Sequence, residues 1–165
     1  MGWFGFGSKK KVRTTAEELA AVWLMGAVQS AREFEESVFS DGSHPKTTLE
    51  VLIFHIAAFD YILRRGLVPP VYERVHKALV DRATPVLSGL WRVSEPRAYI
   101  ERRIADYQQV VLYAEGSEDL IKLGRLASKN MLDHTDPALM ARCSMDFVFI
   151  LKNVGPALKE YEIVQ

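Results

Sequence analysis

Residues 49–63, LEVLIFHIAAFDYIL, decide the fold. Twelve of these fifteen residues are apolar, and the polar three, Glu50, His55 and Asp60, are spaced five apart. The run is too long for an ordinary buried strand and is bounded like a helix. Thr47 with Glu50 three residues on reads as a capping box, while Arg64-Arg65-Gly66 ahead of Pro69-Pro70 reads as a C-terminus. A helix apolar on all sides is enclosed by others, so the stretch is read as the central helix of an all-α protein.

Helical geometry separates its polar residues. At about 100° per residue, Glu50 and Asp60 fall within roughly 80° of each other, with Arg64 between them and Lys46 in the same sector. That predicts a narrow polar stripe in which Asp60 pairs with Arg64. His55 points about 140° away, into the arc of Val51, Leu52, Ala58, Phe59 and Ile62. It is expected in the core, bonded to a carbonyl or carboxylate, with a ligand pocket as the functional alternative.

Upstream, Thr14 or Thr15 with Glu17 or Glu18 caps a first helix. Its stripe is Leu19, Trp23, Ala27, Ala31, Phe34 and Val38, and Gly26 on the stripe lets a neighbour approach. It ends by Ser40-Asp41-Gly42. Downstream, a third helix from Val71 to Trp91 is expected to kink or divide at Pro85. A fourth, capped by Ser94, carries the stripe Ile100, Ile104, Tyr107, Val111, Ala114 and an Arg102–Asp106 pair. Gly116 ends it and Ser117 caps a fifth, with Leu120, Leu123, Ala127 and Met131 inward. Asp136-Pro137 starts the last helix, which is apolar almost all round and therefore expected to be buried beside the central one. AFDYIL (58–63) and SMDFVF (144–149) echo each other over too short a span to count as a repeat. The fold expected is a single-domain, all-α bundle of five to six antiparallel helices over residues 14–165. Residues 47–65 and 137–152 should be innermost, behind a flexible N-terminal tail of residues 1–13.

The chain has 165 residues, one domain's length, with 21 basic and 21 acidic side chains. That balance argues against nucleic acid as a partner. The tail, MGWFGFGSKKKVR, nevertheless carries +4, leaving −4 on the remainder. Trp3, Phe4 and Phe6 suit a membrane interface or a groove on a partner, and Lys9, Lys10, Lys11 and Arg13 suit an anionic surface. The single Cys143 excludes an internal disulfide framework. No run is long and uncharged enough to span a bilayer, and the N-terminus lacks the pattern of a secretory signal. A cytoplasmic protein, peripheral at a membrane at most, is expected.

No catalytic motif, metal signature or nucleotide loop is present. Glu73-Arg-Val-His76 is half of a carboxylate-bridged di-metal pattern that needs two copies, and a single-metal set of His55, His76 and Glu33 or Glu36 has no supporting spacing. Cys143 lies among apolar residues and reads as a small hydrophobe. No catalytic residue, metal or cofactor is assigned. Val28, Leu24 and Met25 fall off the main stripe of the first helix, and Arg102 and Arg103 flank Tyr99 and Tyr107, a composition that fits helix-to-helix contact. The favoured reading is a non-enzymatic interaction or regulatory module in a complex or homo-oligomer, with the tail contacting a partner or membrane surface. The alternative is a small-ligand or metal-binding helical protein, an enzyme among the options, with a pocket near His55, His76 and Glu73.

Overall fold

The structure, a computed structural model, describes residues 11–39, 42, 44–90, 92, 94–112 and 117–164. In chain order they form β1 (Val12–Thr14), α1 (Ala16–Val38), α2 (Pro45–Gly66), α3 (Pro69–Leu90), α4 (Pro96–Leu112), α5 (Ser117–Leu132) and α6 (Pro137–Val154). A short 3-10 helix (Gly155–Glu160) then leads into β2 (Tyr161–Ile163). Apart from the two three-residue strands, this regular structure is helical, and the chain is an all-α single domain. None of its described helices is long and apolar enough to cross a membrane. Trp3, Phe4, Phe6, Lys9, Lys10, Ser40, Asp41, Ala114 and Gly116, all used in the sequence reading, lie outside the described residues.

The apolar stretch is the centre of the fold. Every residue from Leu49 to Leu63 is buried, and α2 packs against each of the other five helices. Its start differs from the expected one. Pro45, whose ring presets a helical φ, occupies the first turn, and the His44 imidazole accepts the Lys46 N–H at 3.3 Å. The helix thus begins two residues before Thr47, so no Thr47–Glu50 capping box forms. Thr47 donates instead to the Met131 carbonyl at 3.0 Å, tying α2 to the end of α5. At the other end Arg64 and Arg65 fill the last turn and Gly66 is the last helical residue, as expected.

The neighbouring helices follow their stripes with three departures. In α1 the Thr15 hydroxyl accepts the Glu18 N–H at 3.2 Å while the Glu18 carboxylate accepts the Thr15 N–H at 2.9 Å, a complete capping box. Leu19, Trp23, Ala27, Ala31 and Phe34 are buried, and Gly26 lies against the Phe59 ring of α2. The first departure is that α3 is not divided at Pro85 but continues as one helix, with Val80 and Ala83 before it and Leu87 after it buried on one face. In α4, Ile100, Ile104, Tyr107 and Val111 are buried, but the Arg102–Asp106 pair does not form. The Arg102 guanidinium lies over the Tyr99 ring at 5.4 Å, and Asp106 is 3.9 Å from Arg103.

The third departure is α6, which is not an innermost helix. Only Leu139, Cys143, Phe147 and Ile150 are buried, while Met145 and Phe149 are 67% and 63% exposed. Its all-round apolarity therefore records two lines of residues, one facing inward and one facing water. Val12 and Arg13, assigned to the tail, lie in β1, which pairs in parallel with β2 and so joins the first and last described elements. Val12 pairs with Tyr161, and the Val164 N–H donates to the Thr14 carbonyl at 2.8 Å. Three residues per strand are too few for alternation to be read from sequence.

Candidate functional site

Each polar residue of α2 meets a different neighbour. Glu50 is fully buried and accepts from the Tyr99 hydroxyl and from Arg103 Nη2, the latter at 3.0 Å. Arg103 also donates to Asn130 Oδ1 at 2.9 Å, and Asn130 Nδ2 donates to the Tyr107 hydroxyl at 3.0 Å. This network joins α2, α4 and α5. Burial, and then the bond to Glu50, raise the Tyr99 phenol above its ordinary pKa, and burial drives the Tyr107 phenol up further.

Asp60, also fully buried, accepts from the Tyr72 hydroxyl at 3.0 Å, from His76 Nδ1 at 2.8 Å and from Gln108 Nε2. The expected pair with Arg64 does not form. Arg64 donates to Gln108 Oε1 at 2.6 Å, so it supports the amide that in turn holds Asp60. The expected polar stripe is thus corrected. Glu50 and Asp60 do share a side of α2, but that side is covered by α3 and α4 and not by water. The hydrogen bond to Asp60 raises the His76 pKa above its usual value, against the opposing effect of partial burial. Burial and the neighbouring Asp60 charge likewise push the Tyr72 phenol up.

His55, fully buried, is held at both ring nitrogens. Nδ1 lies 2.7 Å from the Val51 carbonyl one turn back, and Nε2 lies 2.8 Å from Asp146 Oδ2 on α6. The rings of Phe34 and Phe54 stand edge-on to it at 5.4 and 5.3 Å. Asp146 is the outward end of this pair: its side chain is 16% exposed and lines a cleft of about 310 Å³ between α1 and α6. Glu33 and Arg142 share the cleft, with the Arg142 guanidinium 6.0 Å above the Phe34 ring and bonded to Ser37 Oγ at 3.0 Å. Met145 and Phe149, one turn apart, form its outer wall and also wall an apolar groove of about 450 Å³ with Leu120 and Val148. They are a ridge between two depressions.

The residues singled out by sequence are therefore distributed. His55 reaches α6 and His76 reaches Asp60, with no partner in common. Glu73 is exposed on α3. Lys11 and Arg13 are exposed at the strand pair. Among the described residues, no three His, Cys, Asp or Glu side chains are grouped to hold a metal ion. The Asp60–His76 pair has the form of a supported base. Among the described residues, however, its only hydroxyl neighbour is Tyr72, 3.4 Å from Nδ1, which Asp60 already holds. Burial pushes the Cys143 thiol up to about 12, so it is no thiolate at neutral pH.

Comparison with protein-family models, with curated proteins and with solved structures found no match for this chain. Sequence reading missed Asp146, Tyr72, Gln108, Tyr99 and Arg103 as partners. One signal pointed to them: an acid in an otherwise apolar helix requires a donor facing it. The echo between residues 58–63 and 144–149 had the same content, since Asp60 and Asp146 occupy equivalent places and each meets an imidazole.

Proposed function

We propose that the protein is a non-enzymatic interaction module whose helical body docks an amphipathic helix of a protein partner along α6. The observation that carries this reading is the Met145–Phe149 ridge, more than 60% exposed at both residues and flanked by depressions on both sides. A helix laid beside such a ridge places apolar side chains one turn apart in the two depressions. Methionine adapts its shape to the surface it meets, and aromatic residues and arginine are favoured in interface cores. Arg142, Asp146 and Glu33 supply a polar rim of both signs, which fixes the register of the partner more than its affinity. The aromatic–basic tail is a second contact to the same partner, reaching acidic groups through Lys9 to Lys11 and Arg13.

The test compares the wild type with Phe149→Glu, which places a charge on an already exposed site and leaves the core intact. Native-cell lysate is passed over each immobilised protein, and light scattering measures self-association of each. Partners or self-association lost in Phe149→Glu, and reduced when residues 1–10 are removed, support the reading. An identical set of partners and an identical mass for both proteins overturn it. The tail is cut before Lys11, because Val12 to Thr14 belong to the strand pair.

A further inference from the structure

Another cavity, of about 580 Å³, lies at the end of the molecule where the two strands join the C-terminus of α2 to the end of α6. Its volume is in the range of small-molecule sites. Lys11, Arg65 and Lys159 stand on its rim, and among the described residues no carboxylate lines it. Among the described residues, none of the three is ion-paired with an acid. Arg65 is held in place: its guanidinium lies 5.7 Å above the Tyr61 ring, and Nη1 donates to the Tyr61 hydroxyl at 3.1 Å. That hydroxyl accepts from Arg65 and keeps its own proton to donate. Deeper walls are apolar, with Ile62 and Leu158 buried and Leu151 half-buried.

We propose that this cavity binds a single-chain anionic amphiphile, with the carboxylate or phosphate head between Arg65, Lys159 and Lys11 and the chain along Ile62, Leu151 and Leu158. The C-terminus of α2 opposes an anion with roughly half a negative charge. Three full positive charges on the rim outweigh it, and the Leu63 carbonyl is already bonded by the Leu67 N–H at 2.9 Å. A bare inorganic anion would leave the apolar walls unused, and a neutral chain would leave the cations unused. Both features together select the amphiphile.

Calorimetric titration of the full chain with decanoate below its micellar concentration tests this, with decanol and inorganic phosphate alongside. Saturable binding of one decanoate per chain is expected, at least tenfold tighter than decanol or phosphate. Arg65→Gln and Lys159→Gln, both at exposed positions, should each weaken decanoate several-fold and leave decanol unchanged. Leu151→Trp should abolish decanoate binding by filling the cavity. Anionic phospholipid vesicles that displace decanoate would make a bilayer the source of the ligand, and failure to displace it would make the source the free amphiphile. Absent saturation, equal binding of decanol or phosphate, or indifference of decanoate to both charge variants overturns the proposal.

Discussion

At the residue scale, the unusual feature is that one helix buries an Asp, a Glu and a His, each held by a different set of neighbours, although only one oxygen of Glu50 is bonded. Leaving any of them unpaired in the interior costs several kcal/mol, so each one makes a particular packing arrangement obligatory. Glu50 requires Arg103 and Tyr99, His55 requires Asp146, and Asp60 requires Tyr72, His76 and Gln108. The Asp60–His76 pair also has a pH signature. Its hydrogen bond raises the folded pKa of His76 above 6.5, so folding favours the protonated ring. The resulting stability is complete below the unfolded value and is lost as pH rises through the folded one. Against His76→Gln, the wild type should therefore lose part of its melting-temperature advantage as pH rises above about 6.5. An NMR titration of the His76 ring should give a midpoint above 6.5. A constant difference between the two proteins across that range, or a midpoint below 6.5, would contradict the assignment. Sequence alone placed His55 in the core and Glu50 beside Asp60. It could not name their partners, because these lie on other helices, up to 91 residues away in the case of Asp146.

At the element scale, boundaries and stripes were legible wherever local chemistry sets them. Thr15 with Glu18 and Asp136 ahead of Pro137 both cap as read, and Asp136 accepts the Leu139 N–H at 2.7 Å. Errors arose where an earlier start signal was passed over, as at Pro45 ahead of Thr47, or where two apolar lines share one helix, as in α6. Glycine is the other element-scale device, and two positions separate its uses. Alanine at an interior helical position normally gains about 1 kcal/mol over glycine. At Gly26 the added carbon would sit 2.7 Å from the Phe59 ring, which can tilt, so the gain and the crowding nearly cancel. At Gly124 it would collide with the Met140 carbonyl oxygen of α6, and backbone cannot move aside without parting α5 from α6. Urea denaturation should show Gly26→Ala within about 1 kcal/mol of wild type and Gly124→Ala destabilised by about 3 kcal/mol. Equal effects would mean that α5 and α6 are less closely packed than this contact requires.

At the scale of the whole molecule, the five other described helices pack around α2, and the β1–β2 pair closes the assembly. The β1–β2 pairing joins residues nearly the full length of the chain apart, a contact that no local pattern encodes. It nevertheless positions two features at once. Tyr161 stands edge-on to Trp23 at 5.9 Å, completing the core beside Phe59, and it also lines the cation-rimmed cavity beside Lys11. Removing residues 161–165 should therefore unpair β1, expose Trp23 and open the cavity together. The loss of stability should be about 2 kcal/mol, the order expected for uncovering one large apolar side chain. In a Trp3→Phe, Trp91→Phe background, where Trp23 is the remaining indole, the truncation should shift its emission to longer wavelength while the helical circular dichroism persists. An unshifted emission would show that Trp23 is covered without the strand pair. The strand pair would then close the cavity without contributing to the core, and the two roles of Tyr161 would come apart.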